Sequence, residues 1–213
     1  MVRAVAFRPN FLPSRVRTHS YLFNLSPAQR SLPIINLVMT TSNWFGRSGI
    51  LGMGGGSRAS DGLYLTNNPA TDYHNPSQHG IAWERPVSAE YILPDNSGFQ
   101  IDCGIRVQGS DWQRPRTTLD SKFFSRLYFR GDYGEGKLEY PIFPTASVQS
   151  FDQVVLRAGF NEQINPFVRD EIIRRMSQDK GQVSSQGGLA LVLRNCGPYT
   201  NNNGILPAYN PCE

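Results

Sequence analysis

Residues 104–129 read GIRVQGSDWQRPRTTLDSKFFSRLYF, and the rest of the chain is organised around them. Ile105 and Val107 alternate with Arg106 and Gln108, the period of a half-buried strand. Gly109-Ser110 breaks the pattern, and a polar segment with Arg114, Pro115 and Arg116 follows. Alternation returns from Phe124 to Phe129. Phe124, Arg126 and Tyr128 fall on one face; Ser125, Leu127 and Phe129 fall on the other. Lys122 stands just ahead of this second strand. Two strands around a basic, Gly-containing loop either cradle an anion or form a plain surface hairpin, and the stretch alone leaves both open.

Working outward, the strands on either side are legible by the same period. Leu32–Met39, LPIINLVM, is a continuous apolar run that predicts a buried strand, and Thr40–Asn43 close it with turn residues. Val87–Ile92 alternates, Pro94–Gly98 is a turn, and Phe99–Val107 is the next strand, so an antiparallel hairpin feeds the opening stretch. Extended pieces are expected at 138–143, 151–158, 187–193 and 204–209. Asn165–Lys180 predicts the one clear helix: Asn165 caps it, Pro166 takes its first position and Gly181 ends it. Val168, Ile172 and Met176, widened by Ile173, form the apolar stripe expected to face a core. Residues 1–23 read as two strands about a turn, and 24–31 as a short polar linker. The fold class is therefore α+β, a mainly antiparallel sheet with one well-marked helix.

Composition narrows the function. The chain has 213 residues, with 15 Pro and 20 Gly, which favours turn-rich, β-rich structure over a helical bundle. No apolar run approaches the ~20 residues that span a bilayer. The opening MVRAVAFRPN has no apolar core of a signal peptide; the chain reads as starting part-way through a domain and stopping short at Glu213. Net charge is +4, but the basic residues are scattered and follow no nucleic-acid-reading motif, so nucleic acid is set aside. The Gly-rich GILGMGGGS lacks the Lys-Ser/Thr of a P-loop and reads as a surface insertion. His74, His79 and Glu84 lie in loop-like sequence without a visible metal set, and no metal ligands are assigned. Cys103, Cys196 and Cys212 fit no zinc or redox spacing. A Cys196–Cys212 bridge stays open, with free buried thiols the favoured alternative. Arg130-Gly131-Asp132 is read as a Gly-rich turn rather than an adhesion signal.

Taken in order, LPIINLVM, GIAWERPVSAEYI, FQIDCGIRVQGSDWQRP, SKFFSRLYFRGDYGEGKLEYPIF, FDQVVLRAG and VRDEIIRRMSQDKGQ resemble the CotH-like spore-coat protein kinase family. The resemblance runs from about residue 32 to the end. Residues 1–23 resemble the closing strands of the chitobiase-type or fibronectin-like β-sandwich module that often precedes that domain. The organisation implied is a truncated module at 1–23, a linker at 24–31, and the N-terminal portion of a kinase-like domain at 32–213.

The resemblance implies an atypical protein kinase-like fold that binds ATP with a divalent cation such as Mg and phosphorylates Ser or Thr on a protein substrate. It also implies a secreted or surface-exposed bacterial setting. Lys122, opening a Lys-x-x-x-Arg-Leu-x-Phe strand, is the implied phosphate contact, although Lys-Phe-Phe-Ser departs from the usual Lys-Ser-Phe order. Arg106 is a second cofactor-binding residue, and Glu171 or Asp170 is the carboxylate implied to orient Lys122. No catalytic residue is assigned. After Lys180 there is no Asp, and the one Glu is Glu213, so the chain as given is expected not to transfer phosphate. The rival reading is a non-catalytic structural or adhesive module of a large extracellular protein.

Overall fold

The computed structural model describes residues 2–52, 57–58, 64–65, 75, 78–108, 124–144, 146–157, 169–195 and 210–212. In chain order come β1 (Val2–Ala4), β2 (Arg17–His19), α1 (Pro27–Arg30), β3 (Ile34–Val38), α2 (Thr41–Phe45), β4 (Ser57–Arg58), β5 (Tyr64–Leu65) and a short 3-10 turn at Ile81–Trp83. Then follow β6 (Arg85–Ile92), β7 (Gly98–Val107), β8 (Ser125–Tyr128), β9 (Leu138–Glu139), β10 (Ser150–Phe151), β11 (Gln153–Arg157), α3 (Arg169–Asp179), β12 (Leu191–Asn195) and β13 (Asn210–Cys212). The architecture is α+β with strands dominant.

Seven strands form the main sheet, in the order β12-β3-β6-β7-β8-β11-β13. The β12–β3 pair is parallel and the others are antiparallel. β3 is buried along its whole length, Ile35 and Leu37 in the main core and Asn36 on the other face, where it donates to Ser20 and Glu90. The β6–β7 turn has Asn96 at positive φ, and the Asp95 carboxylate accepts from the Ser97 amide and hydroxyl. β7 and β8 pair directly, Gly104 opposite Tyr128 and Val107 opposite Ser125, so the two strands of the opening stretch are sheet neighbours. The segment between them, 109–123, carries Arg114, Arg116 and Lys122 and lies outside the described residues, as do His74, the expected helix start at Asn165–Val168, and Cys196.

The strand period sorts the sheet's two faces. Ile35, Leu37, Val87, Ala89, Ile101, Cys103, Ile105, Val107, Leu127, Val154 and Leu156 point to one side and join Trp44, Phe143 and Phe151 in the main core. Burial pushes the Cys103 thiol well above its ordinary range, so it packs as a small hydrophobe. The opposite face carries polar groups: Asn36, Ser88, Glu90, Gln100, Asp102, Arg106, Arg126 and Gln153. At its β12 end, Ile34, Leu191 and Leu193 form a smaller apolar cluster that Leu22, Leu25 and Ile92 cover.

Local chemistry adds detail at three places. Residues 24–31 hold α1: the Ser26 hydroxyl accepts from the Gln29 amide, and the Gln29 side chain accepts from the Ser26 amide. Thr40–Asn43 is no simple turn, because the Thr40 hydroxyl accepts from the Asn43 amide and starts α2, which buries Trp44. The third concerns α3. Ile172, Ile173 and Met176 are about half exposed, and the buried residue of the helix is Glu171, at 4%. The helix is tied to its surroundings by charge rather than by an apolar stripe.

Candidate functional site

The polar face of the sheet gathers arginines at its β7–β8–β11 side. Arg106 on β7 stands directly opposite Arg126 on β8. Strand period puts both on the face away from the core, because Ile105, Val107 and Leu127 fill the other side. The Arg106 Nη2 donates to the Tyr128 hydroxyl at 2.6 Å, and its guanidinium lies 5.5 Å from the centre of that ring. Arg126 Nη1 donates to Gln153 Oε1 at 3.0 Å. Arg106 Nε and Nη1 and Arg126 Nε are buried and have no hydrogen-bond partner among the described residues. Among the described residues, neither arginine meets a carboxylate.

Their neighbours do. Arg157 on β11 forms an ion pair with Asp170 at the start of α3 and stacks over Phe124 at 5.9 Å. Arg130 grips Glu84 with two nitrogens, at 3.1 and 3.2 Å, and the Tyr133 hydroxyl donates to the same carboxylate at 3.2 Å. The Glu84 side chain is only 1% exposed. This anchoring raises the Arg130 pKa, chiefly through the Glu84 hydrogen bonds. Burial, reinforced by the Glu84 charge, pushes the Tyr133 phenol up to about 12. Gly104 makes room for the cluster, since a Cβ there would lie 2.9 Å from Glu84 Oε2 and closer still to the Tyr133 ring. Arg130-Gly131-Asp132 is thus a turn whose arginine is turned inward onto Glu84.

The sequence-derived residues distribute as follows. Arg106 lies in the arginine group. Lys122 lies outside the described residues. Glu171 accepts from Arg174 and Arg175 of its own helix, the latter at 2.7 Å. Burial alone would raise its pKa, but those two guanidiniums outweigh it and hold the carboxyl below its ordinary value. Asp170, the other carboxylate considered, is the one that reaches the sheet. Arg126, Arg157 and Tyr128 were not singled out as a group. Their signal was present in the alternation of 124–129, but only the strand register shows that Arg126 faces Arg106.

Facing like charges on adjacent strands destabilise each other, and each buried donor left unpaired costs about 1–3 kcal/mol. An anion with several oxygens between Arg106 and Arg126 offsets both costs. Guanidinium forks match phosphate oxygens in geometry and charge. The donor set therefore suits a phosphate or a similar oxyanion. Among the described residues, no three of His, Cys, Asp and Glu gather to hold a metal ion, so no chemistry is assigned to a cation here. No family model, no curated protein and no solved structure matches the chain.

Proposed function

We propose that this chain is the nucleotide-binding portion of a CotH-like protein Ser/Thr kinase, with the ATP phosphates lying against the sheet face that carries Arg106 and Arg126. One observation carries the reading: two arginines in direct register, with buried N–H groups that have no acceptor among the described residues. The Arg157–Asp170 pair adds support, because it links a helix carboxylate to a strand cation on that same face. Phosphoryl-transfer sites use such a link to hold a helix against the nucleotide-bearing sheet. Lys122, four residues before Arg126, supplies a further positive charge in this reading, and a divalent cation such as Mg travels with the ATP. The partner of the complete enzyme is a Ser- or Thr-bearing protein at a bacterial surface or outside the cell.

Titration with a fluorescent ATP analogue tests this, with and without Mg. The unaltered chain is expected to bind saturably. Arg106→Gln and Arg126→Gln are each expected to weaken binding about tenfold or more, the loss of a charge-assisted contact, and Lys122→Ala is expected to weaken it too. Without nucleotide, neither arginine variant should melt earlier than the parent, because removing one of two facing like charges relieves repulsion. Absence of saturable binding, or variants that bind as the parent does, would overturn the reading in favour of a structural or adhesive module.

A further inference from the structure

The N-terminal hairpin is built unlike the rest of the molecule. β1 and β2 pair antiparallel, Val2 opposite His19 and Ala4 opposite Arg17. The Ser14 amide donates to the Ala6 carbonyl, and the Ala6 amide to the Ser14 hydroxyl, closing the loop between them. At its tip the Phe11 amide donates to the Arg8 carbonyl, with Asn10 at φ 65°. Proline at the second position and a left-handed asparagine at the third make this a type II turn. The tip is therefore held in shape by backbone bonds and Pro9, not by packing.

Every residue from 2 to 15 is exposed. Among them are Phe7 at 76%, Phe11 at 64% and Leu12 at 93%. An isolated two-stranded hairpin is marginal in water, and ordered apolar side chains held in solvent at its tip gain nothing from the rest of this chain. The base is fixed all the same. Thr18 is buried, the Ser20 amide donates to Glu90 at 2.9 Å, and Asn36 donates to both Ser20 and Glu90. The hairpin is a fixed spur with an apolar end.

Charge says what that end meets. The first 60 residues contain no Asp or Glu. Arg3, Arg8, Arg15 and Arg17 are all exposed on the hairpin, and Arg8 stacks over the Phe11 ring at 4.6 Å. Apolar side chains at a tip with arginines on and behind it match a surface that is negative outside and apolar just beneath. Arginine stems lie along the boundary while their heads meet anionic groups. Duplex nucleic acid offers the charge but has no apolar layer to receive Leu12.

We propose that the hairpin docks the protein peripherally on anionic lipid bilayers, with Phe7, Phe11 and Leu12 entering the interfacial layer and the four arginines engaging lipid headgroups. The experiment is co-sedimentation of the full chain with phosphatidylcholine vesicles, with or without about one-third phosphatidylserine, and no nucleotide present. Partition into the anionic vesicles alone is expected, weakening as salt rises. The Arg8→Gln, Arg15→Gln double variant should lose about twenty-five-fold, near fivefold per arginine. Phe11→Ser and Leu12→Ser keep the charge and touch no core residue, so they should lose about tenfold each with an unchanged melting curve. Lack of partition, or partition indifferent to the tip variants, would overturn the proposal. So would duplex DNA binding in place of vesicle binding, or self-association that Leu12→Ser abolishes.

Discussion

At the scale of single residues, Glu84 shows how much one buried carboxylate organises. It is enclosed by Arg130, Tyr133 and the bare backbone of Gly104, and no apolar side chain could take its place there without stranding a cation and a phenol. Arg130→Met should leave the charge of Glu84 in a dry site and cost roughly 2 kcal/mol in urea unfolding. That is less than for a fully enclosed pair, since Arg130 keeps solvent access. The same cluster sets an alkaline limit. The folded-state pKa of Tyr133 is raised to about 12 from an ordinary 10.0. Its contribution to stability is therefore complete below pH 10.0 and disappears as pH climbs from there through about 12. Melting curves across that window should show an alkaline fall that Tyr133→Phe flattens. Sequence alone displayed Glu84 only as a loop acid near two histidines. Its partners are 46 and 49 positions away, and nothing local announces a contact at such separation.

At the scale of elements, strands were legible wherever alternation or an apolar run set them, as at Ile34–Val38, Arg85–Ile92 and Gly98–Val107. The burial of one face makes period a direct record of the fold there. Short helices were not, although Ser26 with Gln29 is a capping-box spelling that could have revealed α1. α3 was legible as a helix but misjudged in orientation. Its apolar stripe is real in the sequence and half exposed in the fold, where Glu171 is the buried residue and Asp170 pairs with Arg157 of the sheet. The end of α3 was read correctly. The Gly181 amide donates to the Gln178 carbonyl and the Gln182 amide to the Ser177 carbonyl, with Gly181 at φ 71°. This is a Schellman closure, which needs a left-handed residue. Gly181→Ala should cost about 1 kcal/mol and reduce helical circular dichroism, while the conformationally tolerant Gly181→Asn should lose less.

At the scale of the whole molecule, the sequence made the antiparallel centre of the sheet visible but not its two ends. The β6–β7–β8 meander follows chain order, and its first connection is a recognisable turn, so period and turn residues go far there. β12 beside β3 is a long-range parallel pairing that no local pattern encodes. The site was half legible for the same reason: Arg106 was named from its strand, whereas its pairing with Arg126 depends on register across the sheet.

That parallel pair has a consequence during synthesis. Ile34–Val38 acquires β6 on one side soon after it is made, but its other side waits for Leu191–Asn195, more than 150 residues later. At ordinary ribosomal speeds the wait is on the order of 10–30 s. Throughout it, the nascent chain presents IINLV, an uncharged and proline-free segment, with one row of amides and carbonyls unpaired. A strand of that kind is a template for another chain. The late arrival of β12 therefore leaves that edge in need of cover while the polypeptide grows.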